Sequence, residues 1–236
     1  QLLTWSNDMV AMYQARRDRT IEDRAARASS EFANFIRSFA EEKRQTPGDD
    51  LITQLLSAEE NGDKLSMDEL ITTCILLLNA GHEATVHTIG NGVKTLLETR
   101  TPLSALQDST IDQTVEEILR FDPPLHVFTR YCYADMELDG HTFKRGDEIA
   151  LMLAAANRDS LQWSDPDSFD PTRKILTNTS FGGGLHFCVG APLARLEMQI
   201  GLKMLFEACP NLQLAQAPVY ADSYHFHKLE QLIVSR

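Results

Sequence analysis

The chain has 236 residues, of which 43% are hydrophobic and 24% charged, enough for one large hydrophobic core or two small ones. Its 34 acidic and 22 basic side chains give a formal net charge of -12, so we expect neither nucleic acid nor an anionic membrane as a partner. The sequence contains no apolar run of about 18 residues, the length that a membrane-spanning helix needs.

The cysteines indicate a reducing compartment. Cys74, Cys132, Cys188 and Cys209 fit neither the spacing of a disulfide framework nor that of a zinc site. The chain starts with Gln1 instead of methionine, and its first residues lack the basic and apolar regions of a signal peptide. We therefore expect a cytoplasmic protein, and a chain that is one part of a longer one.

The N-terminal half predicts helices. Residues 5–45 mix charged and apolar positions with a helical period, 45–50 form a break, and 50–56 predict a short amphipathic helix. A long helix then begins after the N-cap Ser66, because Glu69 three residues later completes a capping box.

This long helix contains two residues that a buried helix normally avoids. It is apolar nearly all round over 71–78, which predicts a buried central helix, and its pattern continues to about Thr99. Gly81 costs about 1 kcal/mol in a helix, and an unpaired buried charge at Glu83 would cost more. Such costs often mark a functional site. The alternative, open on this segment alone, is that Gly81 permits close helix packing and Glu83 faces water.

The remaining chain predicts short strands and further helices. Strands are expected within 125–153 and 211–236, with a hairpin turn at Asp139–Gly140. A helix over 191–208 carries four residues on its apolar side, Leu193, Leu196, Ile200 and Leu205. The predicted fold class is therefore mainly α with small β-sheets, an α+β arrangement.

A cysteine lies between glycines just before that helix. Cys188 precedes Gly190, and Pro192 suits the first helical turn, where no backbone donor is needed. A cysteine acts as nucleophile or metal ligand in its thiolate form, which a helix N-terminus favours. Glycines also let the backbone approach a bound group closely. The loop therefore predicts a thiolate presented to a large, flat partner.

Two charged residues in the helix predicted after Ser109 lie on one face. Glu117 and Arg120 are three positions apart and so can pair. Most pairs of this kind are exposed and contribute roughly a few tenths of a kcal/mol, so the segment alone favours an ordinary surface pair.

Three segments together resemble the cytochrome P450 family of haem-thiolate monooxygenases. One contains Glu83 in the glycine-interrupted helix, and another is Glu117-x-x-Arg120, followed later by Arg173. The most specific is the cysteine loop, where five residues fall at the family's spacing: Phe181, Gly184, His186, Cys188 and Gly190. The resemblance covers essentially the whole chain but only the family's C-terminal part. It implies that 1–236 is the C-terminal part of a single cytochrome P450 domain, with the long central helix and the cysteine-ligand loop.

The resemblance implies that haem b is the cofactor and that Cys188 is the proximal ligand of its iron, where a thiolate donates electron density. Phe181 would shield the sulfur. Gly184 and Gly190, with Gly81 on the long helix, would let the backbone approach the cofactor.

Charged residues complete the implied site. His186 and Arg130 would bind the haem propionates as cations matched to carboxylates, although Arg130 would equally suit an ordinary surface strand. Glu117, Arg120 and Arg173 would form a buried structural network, in which removal of one partner costs about 3–5 kcal/mol.

The implied catalytic residues are Glu83 and its two successors, with one departure from the family. The family usually has threonine directly after the acid, whereas this chain has Ala84 there and Thr85 one place later. One residue rotates a helical side chain by about 100°, so Thr85 does not simply replace the missing hydroxyl. We expect Glu83 with ordered water, or a hydroxyl on the substrate itself, to carry the protons.

The implied substrate pocket is mainly apolar with histidines, which suits a lipophilic molecule with a few polar groups. His126 and His225 are expected at the pocket rim or the surface and not as iron ligands. The candidate lining residues are Leu77, Ala80, Leu125, His126, Val127, Phe128 and Phe226.

The implied activity is insertion of one oxygen atom from dioxygen into a lipophilic organic substrate, in secondary metabolism or catabolism. Because no flavin or iron–sulfur motif is present, we expect a ferredoxin-type protein to supply electrons. It would dock near Arg195 and Lys203, unless these are ordinary surface charges. Two other interpretations stay open: a peroxide-using haem-thiolate enzyme, and a truncated, haem-poor fragment without catalytic activity.

Overall fold

The computed structural model describes residues 1–14, 17–60, 63–174, 177–223 and 225–236, with the backbone alone at Glu59 and Glu60. These residues fall into two compact units, Gln1–Glu83 and Ala84–Arg236, which divide the chain within its longest helix. The assignment of 1–236 to a single domain stays a prediction.

Helices dominate, and the strands of the described residues form five two-stranded antiparallel sheets, which confirms the predicted fold class. The helices are α1 Leu2–Val10, α2 Arg19–Gln45, α3 Leu51–Ser57, α4 Met67–Glu98, α5 Ile111–Phe121, α6 Leu153–Ala156 and α7 Ala191–Ala208. Short 3-10 helices lie at Ala11–Tyr13, Leu103–Leu106 and Gly184–His186. The strands are β1 Glu59–Glu60, β2 Asp63–Lys64, β3 Val127–Tyr131, β4 Met136–Leu138, β5 His141–Phe143, β6 Glu148–Met152, β7 Gln213–Leu214, β8 Val219–Tyr220, β9 Leu229–Gln231 and β10 Val234–Ser235. They pair as β1–β2, β3–β6, β4–β5, β7–β10 and β8–β9.

The long helix α4 begins as the sequence predicts. The backbone N–H of Ser66 donates to Glu69 Oε2 (2.8 Å), and the N–H of Glu69 donates to Ser66 Oγ (3.2 Å), which completes the capping box. The two hydrogen bonds from Ser66 lower the pKa of the Glu69 carboxyl below its ordinary value. With 32 residues, α4 is about 48 Å long at 1.5 Å per residue.

The first unit packs one face of α4 against α1 and α2. Its core includes Phe32 and Ile36 from α2 with Leu70 and Ile71 from α4, and the ring of Trp5 stacks on Phe32 at 5.3 Å. The prediction that α4 is buried all round over 71–78 is wrong. Leu76 and Leu77 in that stretch are exposed, because the buried positions follow one helical stripe only.

The second unit is built around α7, α5 and the C-terminal half of α4. Met198 and Leu202 of α7 are buried in one cluster with Val115 and Ile118 of α5. A Cβ at Gly92 of α4 would lie 3.3 Å from Ile118 Cγ2, so glycine there permits the close approach of the two helices.

Of the four residues predicted on the apolar side of α7, only Leu205 packs against the core, where it is partly buried. Leu193, Leu196 and Ile200 are half or more exposed, whereas Met198, Leu202 and Phe206, four residues apart, face the core. Both stripes are apolar, so helical periodicity alone does not decide which of them packs.

The strands of the second unit carry part of the predicted pocket and site. The hairpin β4–β5 turns at Asp139 and Gly140, whose positive φ values of 49° and 76° fit the predicted two-residue turn. Strand β3 pairs with β6 so that Arg130 lies opposite Ile149. Among the residues that the structure describes, no helix combines the length and the apolar composition needed to cross a bilayer.

Candidate functional site

A fully buried ion-pair network lies at the centre of the second unit. Glu117 and Arg120 of α5 have 0% exposed side chains and form a bidentate pair, with Arg120 Nε 2.7 Å from Oε2 and Nη2 2.8 Å from Oε1. Arg173 Nε lies 3.2 Å from both oxygens of the same carboxylate. The alternative that Glu117 and Arg120 form an ordinary surface pair is therefore wrong.

The remaining hydrogen-bonding groups of this network hold an irregular segment of the chain. Arg120 donates to the carbonyls of Asn157, Pro166 and Ser168, and Arg173 donates to those of Ser164, Asp165 and Ser168. The backbone N–H of Asp170 donates to Glu117 Oε1 (2.9 Å). These contacts compensate the cost of burying the charges, and they fix the stretch 157–173.

A buried asparagine connects this network to the cysteine loop. Asn157 Oδ1 accepts from the backbone N–H of Thr179 (2.8 Å) and from its hydroxyl (2.9 Å), and Asn157 Nδ2 donates to Ser180 Oγ (2.8 Å). Ser180 Oγ in turn donates to the carbonyl of Leu119 in α5 (2.6 Å). The carbonyl of Asn157 also accepts from Arg120. Thr179 and Ser180, which lead into the cysteine loop, are therefore connected through Asn157 to the buried Glu117–Arg120 pair.

Cys188 lies in a closed loop immediately before α7. Its backbone N–H donates to the Phe181 carbonyl (3.0 Å), and its carbonyl accepts from the N–H of Ala191, the first residue of α7 (3.2 Å). Cys188 is partly exposed, and a Cβ built on Gly190 would lie 3.8 Å from its Sγ. The thiol is thus held beside a helix N-terminus, where a negative charge is stabilised.

The rest of the loop presents an apolar surface. Leu185 is 97% exposed and Val189 86% exposed, so two large aliphatic side chains flank the cysteine in solvent. Gly184 has φ +65°, and a Cβ built there meets no heavy atom of the described chain within 4 Å. These residues form an open, apolar face around a thiol.

Phe181 closes the other side of the loop. The guanidinium of Arg195 lies 4.6 Å from the centre of the Phe181 ring and pairs with Glu116. Lys203, the other predicted docking residue, pairs with Asp108. Both predicted docking residues are therefore already engaged within the second unit.

The two predicted propionate ligands are exposed. His186 lies in the 3-10 helix that precedes Cys188, and Arg130 extends from β3, where its Nη1 donates to the Thr129 carbonyl (2.9 Å). The structure leaves the alternative of a surface strand position open for Arg130, so both assignments stay predictions.

The predicted catalytic residues occupy the middle of α4. Glu83 is 5% exposed, so the alternative that it faces water is wrong. A Cβ built on Gly81 meets no heavy atom of the described residues within 4 Å, so close packing does not explain this glycine. Ala84 and Thr85 follow in the helix, and the Ala84 carbonyl accepts from Thr88 Oγ1 (2.6 Å). Of the two pocket candidates in the first unit, Leu77 is 40% exposed and Ala80 is also exposed.

The structure brings the pocket candidates of the second unit together. Leu125 forms an isolated β-bridge with Phe226, and Phe226 and Val127 are buried. The ring of Phe128 meets His225 edge-on at 6.0 Å, and His126 stacks on His227. The segments 125–128 and 225–227 thus form one continuous surface.

Sequence reasoning missed two groups of residues at this site. The first is the hydrogen-bonded group of Asn157, Thr179 and Ser180. The run Asn157-Arg158-Asp159 resembles bacterial members of the cytochrome P450 family, but no pattern in the sequence links Asn157 to the cysteine loop. The second is a charged cluster around Asp122, whose members come from four separate segments and leave no local pattern.

Replacement of Asn157 by leucine, which is similar in size, leaves the Thr179 N–H without its acceptor and should loosen the loop. We expect Cys188 in Asn157→Leu to react with iodoacetamide about tenfold faster, because a loosened loop exposes this half-buried residue further. Peptide mass spectrometry reads the rate at each cysteine, with Cys209 as the internal control and the exposed Asn211→Leu as the matched variant. An unchanged rate at Cys188 would show that Asn157 does not hold the loop.

Comparisons with known proteins agree with one another. A family model described as Cytochrome P450 matches residues 6–110 and 109–210. Cytochrome P450 107B1 of Saccharopolyspora erythraea is 40% identical over 218 residues, which cover 91% of this chain and 52% of that protein. The polyketide biosynthesis cytochrome P450 PksS of Bacillus subtilis is 39% identical over 221 residues, which cover 92% of this chain and 53% of PksS. The crystal structure of P450BioI with an acyl carrier protein ligated to hexadec-9Z-enoic acid matches with a TM-score of 0.94 and 34% sequence identity. The match covers 100% of this chain and 61% of the P450BioI chain.

The chain spans about half the length of the curated relatives it matches. The family model nevertheless covers most of the chain, and the relatives exceed 30% identity over nine-tenths of it. The chain therefore belongs to the cytochrome P450 family.

Proposed function

We propose that the chain is the haem-binding part of a monooxygenase that inserts one oxygen atom from dioxygen into a lipophilic organic substrate. The observation that carries this proposal is the loop of Cys188, which is fixed to the Glu117–Arg120 pair and ends at the N-terminus of α7. A cytoplasmic location and a role in secondary metabolism or catabolism belong to the same proposal.

The residues of the loop fit haem b, the cofactor of the cytochrome P450 family. The partly exposed Cys188 is flanked by the exposed side chains of Leu185 and Val189, which match the apolar face of a porphyrin. The open space beside Gly184 leaves room for a flat ring close to the backbone.

Each residue then has a defined task in holding the cofactor. Cys188 would ligate the iron through Sγ, and Phe181, with Gly184 and Gly190, would shield the sulfur and shape the loop. His186 and Arg130 would bind the propionates through charge-assisted hydrogen bonds. When bound, the haem supplies an iron centre at which dioxygen is reduced with two electrons and two protons, so that one atom enters the substrate and the other leaves as water.

Proton delivery falls to the middle of α4. Glu83 is buried on a helix and carries the only acidic group of 80–85, so it would hold and pass protons through its carboxylate. Ala84 has no hydroxyl to help, and Thr85 lies about 100° further round the helix. Ordered water or a hydroxyl on the substrate would complete the path.

The substrate and the electron donor are proposed from the relatives and the pocket candidates. PksS is a cytochrome P450 of polyketide biosynthesis, and P450BioI was crystallised with an acyl carrier protein that carries hexadec-9Z-enoic acid, a lipophilic chain. The buried Val127 and Phe226 would contact an apolar part of such a molecule, and Leu125, His126 and Phe128 would complete the lining in the second unit. A ferredoxin-type protein would supply the electrons.

The reduced, carbon monoxide-treated absorption spectrum of the haem-supplemented chain tests the proposed function. We expect the red-shifted Soret band of thiolate ligation, lost in Cys188→Ser and retained in Cys209→Ser, because only Cys188 lies in the loop. No haem uptake would favour the non-catalytic fragment. Turnover with peroxide and none with reduced ferredoxin would favour the peroxide-using enzyme.

Substitution of Ala84 tests the proposed proton path. Ala84→Thr restores the hydroxyl at the family's usual position, and we expect it to change the fraction of consumed electrons that appears in product. Ala84→Val, which has the same shape without the hydroxyl, is the matched control. If Ala84→Thr leaves both this coupling and the product yield unchanged, the relay through Glu83 with water or a substrate hydroxyl loses its support.

A further inference from the structure

A buried charged cluster lies next to the pocket candidates of the second unit. Asp122, the residue after α5, and Lys94 of α4 have side chains that are 7% and 11% exposed, and Lys94 Nζ lies 2.7 Å from Asp122 Oδ2. The other carboxylate oxygen lies 3.2 Å from His227 Nε2. Lys94 is also 3.6 Å from Glu98.

Both charges of the central pair are stabilised where they lie. Burial alone would raise the pKa of Asp122, but the hydrogen bond with His227 and the charge of Lys94 outweigh it and hold that pKa below its ordinary value. Burial alone would lower the pKa of Lys94, and the Asp122 carboxylate raises it far above its ordinary value instead. Asp122 therefore presents a permanent acceptor to His227 at neutral pH.

Groups of the second unit hold His227 through both its backbone and its ring, which leaves its side chain 30% exposed. Its backbone N–H donates to the Pro124 carbonyl (2.8 Å), and its own carbonyl accepts from Asn91 Nδ2 (2.9 Å). Its ring stacks between Tyr220, at 4.1 Å, and His126, at 4.4 Å. Burial, followed by the charge of His227, lowers the pKa of His126, so a neutral imidazole lies against the His227 ring at neutral pH.

The residue before His227 is the buried pocket candidate Phe226. Its β-bridge with Leu125 places two pocket segments side by side, and its ring lies 5.5 Å from that of His87 on α4. Phe226 and His227 are consecutive residues, so a displacement of the His227 backbone would also displace Phe226 relative to Leu125.

We propose that His227 is a positioning residue for the substrate: its hydrogen bond with Asp122 fixes Phe226 against Leu125 and so sets the shape of this side of the pocket. The inference rests on the proposed function, because that function assigns Leu125 and Phe226 to substrate. A buried ion pair adds little net stability compared with apolar packing, so the cluster is better explained by the arrangement that it fixes.

Two variants separate the hydrogen bond from the stack. His227→Phe keeps an aromatic ring but has no donor, whereas His227→Gln has no ring but keeps an N–H that reaches Asp122. The matched control is the same pair of substitutions at the exposed His141 of β5, which also contacts an aromatic ring.

Amide hydrogen exchange of the full chain, measured without ligand, reports how firmly the turn around Phe226 and His227 is held. In His227→Phe we expect the amides of Ala221 and of 227–229 to exchange about tenfold faster or more, while those of α5 keep their rates. In His227→Gln we expect the same amides to stay within about threefold of the wild-type rates. The His141 variants should leave all of these amides unchanged.

Three results would overturn the proposal: unchanged amides in His227→Phe, equal loosening in both His227 variants, or equal acceleration throughout α5, which indicates a general loss of stability. Calorimetric titration with free hexadec-9Z-enoic acid tests the proposed function separately. We expect weaker binding by His227→Phe than by His227→Gln. Failure of the wild-type chain to bind this probe would count against a lipophilic acyl substrate, whereas the exchange rates alone decide whether His227 positions the turn.

Discussion

The carboxylate of Glu117 has no exposed surface and lies between the guanidinium groups of Arg120 and Arg173. Its position determines where those two side chains direct their remaining donors, and these donors bind carbonyls throughout 157–173. Buried charges are stable only when each of them keeps its hydrogen-bonding partners. These contacts therefore hold the irregular segment 157–173 in the observed arrangement. Through Asn157 the same constraint reaches Thr179 and Ser180, which lead into the loop of Cys188.

The second unit shows the same design twice: a polar cluster positions a surface that apolar packing supports. Apolar contacts between α5 and α7 provide the core of the second unit, but they do not specify the path of the loops. Directional hydrogen bonds do this at Glu117 for the cysteine loop, and at Asp122 for the turn that carries Phe226. Glu117 and Asp122 thus hold the site in place, whereas Cys188 and Phe226 are the residues proposed to contact the haem and the substrate.

Much of this fold follows from local sequence signals. The capping box at Ser66, the turn at Asp139–Gly140 and the start of α7 after Gly190 each depend on a few neighbouring residues, and the structure contains all three. The Cys188 loop was recognisable for the same reason. What the sequence could not supply depends on distant partners: Leu196 and Leu202 are equally apolar, and only packing distinguishes the exposed one from the buried one. By spacing alone Glu117 and Arg120 matched a surface pair, and it was the family resemblance that predicted their buried network with Arg173, which the structure contains.

The central claim is that the buried carboxylate of Glu117 holds the loop of Cys188, and amide hydrogen exchange at Cys188 tests it most directly. In Glu117→Gln the two guanidinium groups lose their counter-charge at a cost of about 3–5 kcal/mol, so the Cys188 amide should lose most of its protection. Glu137→Gln, an exposed acidic position in β4, is the control and should leave that amide protected. A Cys188 amide equally protected in Glu117→Gln and in the wild-type chain would contradict the claim.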